Sequence, residues 1–182
     1  MVPATLTEMA NFKPHATPES LSRPVPNIPV TGERLRRYLL PGDLHAAAEP
    51  CQITTILGSC VAICLWDARR RAGGMNHFLL PASRPERDPS MRFGDLATAE
   101  LLERLLALGC RRQSITAKLF GGAALFQSPG RYSASLGAKN VASALLMMKN
   151  ARIPVIANET GGHHGRKIVF NTDDGLAWSR RI

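Results

Sequence analysis

The sequence predicts a single mixed α/β domain with much antiparallel pairing and two principal helices. From Cys51 onward, short β-branched or apolar runs are separated by glycine, proline and Asn/Asp turns. Two longer segments carry apolar residues at helical spacing. Further on, "KIVFN", "NTDDG" and "LAWS" read as strand, turn and strand, a closing hairpin. At 182 residues the chain can hold one full domain with its own core and is short for two.

The first fifty residues hold eight of the thirteen prolines and balance their acids against their bases. Residues 1–29 read as an extended, poorly ordered tail. Residues 1–50 as a whole read as a proline-rich, partly disordered extension to a domain over 51–182. Within the extension, "GERLRRYLLPGD" predicts one short helix from Glu33 to Leu40, ended by Pro41 and Gly42. "CQITTIL" then reads as a β-branched strand, and "CVAICLW" as a strand buried on both faces. "GGMNHFLL" is its partner. "SRPERDPSMRFGD" is a polar loop, from which Asp95 caps a helix striped by Leu101, Leu102, Leu105 and Leu106 and stopped by Gly109. "SITAKLF" is a strand ending at Gly121-Gly122. A second helix runs from about Asn140 to Asn150 with Val141, Leu145 and Met148 on one face, and "IPVIAN" follows as a strand.

Composition narrows the function classes. The chain is 45% hydrophobic and 20% charged, ordinary for a soluble globular protein. No apolar run is long enough to span a bilayer, so no membrane insertion is expected. The first twenty residues lack the basic and apolar regions of a secretory signal, and the expected location is the cytoplasm. Cys51, Cys60, Cys64 and Cys110 lack the spacing of a disulfide framework and are expected as free thiols. The formal charge of +9 comes from short scattered groups such as Arg69 to Arg71. Aromatics are not interleaved with these groups, so the pattern points to an acidic protein partner rather than nucleic acid.

The stretch "TTILGSCVAICLWDARRRAGGMNHFLLP" concentrates the chemistry. A hairpin turning about Ala68-Arg69 pairs Cys60 with His77. Directly opposed residues share a face with Cβ atoms about 5 Å apart, close enough for a thiol and an imidazole to meet. A one-residue slip would send them to opposite faces. A nearby imidazole can take the thiol's proton and make a nucleophile of it. Gly58 and Ser59 let the backbone bend so that N–H groups near Cys60 face a developing oxyanion. A third group should hold the other ring nitrogen. Thr54 is one candidate and Asn76 another, although Asn76 should face away from its neighbour. The competing reading makes Cys60 and His77 ordinary core residues, as Cys64 is read here. Cys60, Cys64, His77, His163 and His164 do not form a metal-ligand spacing, and no metal or organic cofactor is expected.

The motifs "TTILGSCVAICLWD", "GGMNHFLLP", "KLFGGAALF", "LGAKNV" and "ETGGHHGRKIVFNTDDG" together resemble CheD, the chemoreceptor glutamine deamidase family of bacterial chemotaxis. The resemblance runs from about Ile53 to Gly175. It implies an α/β sandwich related to the catalytic domain of cytotoxic necrotizing factor toxins, and a papain-like Cys-His-Thr site. By motif position the nucleophile falls on Cys60, the base on His77 and the orienting threonine on Thr54. The family's late loop often reads Gly-Gly-Asn where this chain has Gly161-Gly162-His163, which puts a substrate role for that loop in doubt.

The reading is therefore a cysteine-dependent protein-glutamine glutaminase that converts chemoreceptor glutamines to glutamate. The same thiol chemistry would serve receptor methyl-ester hydrolysis. The resemblance also implies binding to a CheC-type phosphatase. Arg69, Arg70 and Arg71 at the hairpin tip would suit acidic flanks on the receptor, or are simply a solvated turn. Gly121, Gly122, Gly161 and Gly162 line a substrate cleft, or make tight turns at strand ends.

Overall fold

A computed structural model of the chain describes residues 34–82, 90–124 and 135–182. The tail expected over residues 1–29 lies outside the described residues, as does most of the loop expected after Ala82. The first strand is β1, Leu35–Tyr38, and it replaces the helix expected from Glu33 to Leu40. Four residues before Pro41 cannot repay helix nucleation, whereas a parallel ladder to a neighbouring strand satisfies the backbone directly. The neighbour is β3, Cys51–Leu57, with Leu35 beside Cys51 and Tyr38 beside Thr54. Between them β2, Leu44–Ala47, joins a different sheet. Both early strands lie ahead of Cys51, so the folded unit takes in residues from Arg34 onward rather than starting at residue 51.

The remaining strands are β4 (Val61–Asp67), β5 (Ala72–Asn76), β6 (Ile115–Gly121), β7 (Val155–Thr160), β8 (Arg166–Asn171) and β9 (Ala177–Arg181). They form a four-stranded sheet ordered β1-β3-β8-β9 and a five-stranded sheet ordered β2-β5-β4-β6-β7. Among the nine strands of the described residues, only β1–β3 and β6–β7 pair in parallel. Helices α1 (Gly94–Ala107) and α2 (Leu136–Ala151) pack on the five-stranded sheet. The result is the mixed, largely antiparallel sandwich that was expected.

Burial follows the alternation of each strand. Val61, Ile63 and Leu65 of β4 pack with Leu101, Leu105 and Met148 of the helices. The alternate residues Ala62 and Cys64 meet Ile53, Leu57, Ile168 and Phe170 between the two sheets. Hence β4 is apolar on both faces. The helix ends depart from expectation. Phe93 rather than Asp95 caps α1, and the Asp95 carboxylate accepts from the N–H of Leu96 inside the first turn. α2 begins a turn earlier than Asn140, capped by the Ser135 hydroxyl at 3.2 Å from the Ala138 N–H. Its buried face is Gly137, Asn140, Ala144 and Met148, while Leu145 is exposed. Small residues on that face let the helix backbone approach the end of β6.

Candidate active site

The chain leaves the four-stranded sheet at Leu57 and enters the five-stranded sheet at Val61, crossing through Gly58, Ser59 and Cys60. Three hydrogen bonds hold this crossing by its carbonyls. Gly58 accepts from the N–H of Ala123 at 2.9 Å, Cys60 from the N–H of Gly122 at 2.7 Å, and Ser59 from Asn140 Nδ2 at 3.0 Å. The N–H groups of Ser59 and Cys60 donate to no backbone carbonyl among the described residues. Gly121 and Gly122 both have positive φ, and a Cβ on Gly121 would collide with the Cys60 carbonyl oxygen. These two glycines therefore support the turn that carries the cysteine.

The hairpin closes one residue later than expected. It turns about Arg69-Arg70, with Asp67 beside Ala72, because the Asp67 carboxylate accepts from the N–H groups of both Arg69 and Arg70. Cys64 thus faces Met75 and Val61 faces Phe78. Cys60 and His77 are diagonal neighbours rather than directly opposed. The pairing has shifted by an even number of residues, so both still point to one face. That face is the layer between the sheets, where Cys60 packs against the apolar cluster. Diagonal neighbours lie about 7–8 Å apart at Cα, somewhat less at Cβ.

His77 is only 2% exposed, and each of its polar atoms except ring Nε2 has a hydrogen-bond partner. Its N–H donates to the Asp43 carbonyl, and its carbonyl accepts from the N–H of Gly42. Ring Nδ1 lies 2.8 Å from Thr55 Oγ1. Thr54, the expected orienting residue, lies on the other face of β3, where side chains alternate between core and outer surface. The correction from Thr54 to Thr55 fixes the ring's chemistry. A hydroxyl has one proton, and Thr55 donates it to the Leu39 carbonyl at 2.8 Å. Toward His77 it can only accept. Nδ1 therefore carries the ring hydrogen and Nε2 keeps its lone pair, buried and without a hydrogen-bond partner among the described residues.

Burial pushes the imidazole pKa below its ordinary value, against smaller opposing effects of the Leu39 carbonyl and Asp43. Burial also pushes the Cys60 thiol up, its own backbone N–H working the other way. The resting site thus favours neutral thiol beside neutral imidazole. Asn140 was missed by the reading of the chain. Its amide nitrogen reaches Ser59 O and Leu79 O at 3.0 and 2.8 Å, joining the cysteine crossing to the histidine segment.

Other expected contacts are sorted by position. Asn76 faces the helix side, accepting from the N–H of Ile63 and donating to Thr98, so it takes no place beside His77. Arg69, Arg70 and Arg71 sit at the opposite end of β4 from Cys60, and a seven-residue strand separates the two by roughly 20 Å. Arg69 and Arg70 line a hollow of about 290 Å³ with Asp67, Gly109, Arg111 and Ser114, and Arg70 Nε donates to Leu108 O. Gly122, Gly161 and Gly162 do come together, lining a cavity of about 430 Å³ with His163 and the α2 residues Val141 and Leu145. Cys64 is packed between the sheets, as read from the sequence.

A cysteine on a hydrogen-bonded turn, a buried imidazole with one unpartnered nitrogen, and a hydroxyl on its other nitrogen are groups that can carry acyl-transfer chemistry. The family model described as CheD chemotactic sensory transduction matches residues 79–181, more than half of the chain. A protein called probable chemoreceptor glutamine deamidase CheD 1 from Anaeromyxobacter dehalogenans is 46% identical over 167 residues, covering 92% of this chain and 96% of its own. Proteins called probable chemoreceptor glutamine deamidase CheD from Trichlorobacter lovleyi and Rhodospirillum rubrum are 45% and 44% identical, each over 80% of this chain and over 90% and 81% of their own. The chain belongs to the CheD family.

Proposed function

We propose that this protein hydrolyses glutamine side-chain amides on chemoreceptors to glutamate, with release of ammonia, and that Cys60 is the nucleophile. The names of the relatives support the reaction and its substrate. The observation that carries the mechanism is the geometry at His77: Nδ1 lies 2.8 Å from a Thr55 hydroxyl that donates to the Leu39 carbonyl, and Nε2 is bare on the face shared with Cys60.

His77 Nε2 takes the Cys60 proton as Sγ bonds to the amide carbon, and the carbonyl pair moves onto oxygen. The N–H groups of Ser59 and Cys60, free of backbone carbonyl partners among the described residues, receive that oxyanion. Collapse of the intermediate breaks the carbon–nitrogen bond, with the imidazolium proton leaving on ammonia. Water then attacks the thioester, giving its proton to Nε2. The carbon–sulfur bond breaks, and sulfur recovers the proton. Because burial keeps His77 neutral and Cys60 protonated at rest, the proton moves during attack rather than beforehand. Thr55 holds the ring throughout. A cytoplasmic location goes with this substrate, since the chemistry needs the receptor's signalling region.

The test is mass spectrometry of peptides from a chemoreceptor cytoplasmic fragment incubated with the protein or with Cys60→Ala, with ammonia and methanol measured in parallel. Conversion of defined glutamines to glutamate by the intact protein only is the expected outcome. Methanol without ammonia would mean ester hydrolysis, and neither product would leave a binding role.

A further inference from the structure

Beside the Cys60 crossing, the four-stranded sheet ends in a basic rim. Leu57, the residue before Gly58, faces Arg166, which faces Arg181. In the adjacent row Ile56 faces Lys167, which faces Arg180. Arg166 is engaged, its Nη1 donating to Gly161 O at 2.8 Å. Lys167, Arg180 and Arg181 form no side-chain hydrogen bond or ion pair among the described residues. Neither row contains an acid. Large apolar side chains stand exposed at the same end: Leu40, just past β1, is 61% exposed, Ile56 45% and Ile182 57%. Ile182 lies over Gly165, which itself packs toward the Leu57 carbonyl.

On the outer face of the sheet Lys167 and Arg180, without counter-charges, share a row with exposed Ile56. Arg181 adds charge on the other face of the edge strand. This rim calls for a partner that brings both acids and apolar groups. The geometry points to a docking surface for an acidic amphipathic segment of the substrate protein, adjoining the glutamine that enters the site. This rests on the deamidase reading. Position matters as much as sign. Exposed charges are screened over about 8 Å at physiological salt. The rim begins within two residues of Gly58 and so acts on a segment reaching Cys60. Arg69 to Arg71, roughly 20 Å away along β4, do not.

The experiment compares wild type, Lys167→Glu/Arg180→Glu/Arg181→Glu, and Arg69→Glu/Arg70→Glu/Arg71→Glu. Each is assayed for ammonia release from a receptor cytoplasmic fragment over a salt series and from a short uncharged glutamine peptide. Reversal at the rim is expected to raise KM for the fragment about tenfold and flatten its salt dependence, with kcat and peptide turnover unchanged. Reversal at the hairpin tip should leave both substrates alone. Equal effects from the two triples would mean only net charge matters, and an unchanged fragment KM in the rim variant would remove the surface; either overturns the proposal. Should the rim triple fail on the peptide, Arg180→Ala/Arg181→Ala carries the same comparison. No ammonia from wild type with either substrate would overturn the deamidase reading itself, and this inference with it.

Discussion

At the scale of single residues, the difference between Thr54 and Thr55 is the difference between two faces of one strand. Thr55 is fully buried, 2.8 Å from both His77 Nδ1 and the Leu39 carbonyl. Thr55→Val removes the acceptor that selects the Nδ1–H tautomer and leaves two buried polar groups unpaired. A lost buried hydrogen bond of this kind costs roughly 1–3 kcal/mol, and about 1.4 kcal/mol is tenfold in rate. Deamidation kcat is therefore expected to fall tenfold or more in Thr55→Val, while Thr54→Val stays within about twofold. Steady-state ammonia release from both variants checks this, and comparable losses at the two positions would return the orienting role to Thr54. The pair of adjacent threonines was plain in the sequence. Choosing between them needed the phase of β3 relative to the core.

At the scale of elements, the site is assembled from ends. β3 delivers the Gly58–Cys60 crossing, β5 delivers His77, and the end of β6 with the start of α2 holds them. Asn140 ties the first two together through Ser59 O and Leu79 O. Asn140→Ala is expected to lower kcat about tenfold with KM changed little, since a one-hydrogen-bond loosening of roughly 1–1.5 kcal/mol falls on alignment rather than on docking. Measuring kcat and KM separately, with circular dichroism to verify the fold, decides it; a rise in KM alone would place Asn140 in substrate binding. The hairpin was legible because β4 is apolar on both faces and β5 follows it after a short polar turn. Its register was not, since Asp67 binding the N–H groups of Arg69 and Arg70 lengthens the turn in a way that composition does not reveal. The β1 strand was misread for a related reason: "LRRY" has no strong preference, and its parallel ladder to β3 forms within one sheet only because β2, between them in the chain, leaves for the other.

At the scale of the whole molecule, the first described residue closes the fold on itself. Arg34 donates through Nε and Nη2 to the Asp173 carboxylate, both at 2.9 Å, and through Nη2 to Asp174 at 2.9 Å. It thereby pins β1 to the turn between β8 and β9. Burial alone would push the Asp173 carboxyl up, but Arg34, with its backbone and charge neighbours, outweighs that and holds it below its ordinary value. A depressed carboxylate contributes stability above its unfolded pKa, and that stability is lost as pH falls through the folded value. Arg34→Met should thus lower thermal stability at pH 7 by about 1–3 kcal/mol, because Asp173 is left buried and unpaired. The difference from wild type should shrink as pH is taken down past about 4, where the unfolded carboxyl takes up its proton. Thermal unfolding at pH 7 and at lower pH measures this, and a constant difference would show that Arg34 acts by packing instead.

The sequence by itself determined the class of fold, the hairpin that puts a thiol and an imidazole on one face, and the family to which the chain belongs. These rest on local patterns: alternation, turn residues, and a Gly-Ser-Cys motif followed by a strand. Only the tertiary structure decided which threonine bonds His77, that Asn140 joins Ser59 to Leu79, and that unpaired cations on β8 and β9, rather than the arginine run, lie near the Cys60 crossing. Each of those depends on which residues from distant parts of the chain share a face or an end. Side chains alternate along every strand, so a shift of one position exchanges inside for outside, and only the packed sheets set that phase.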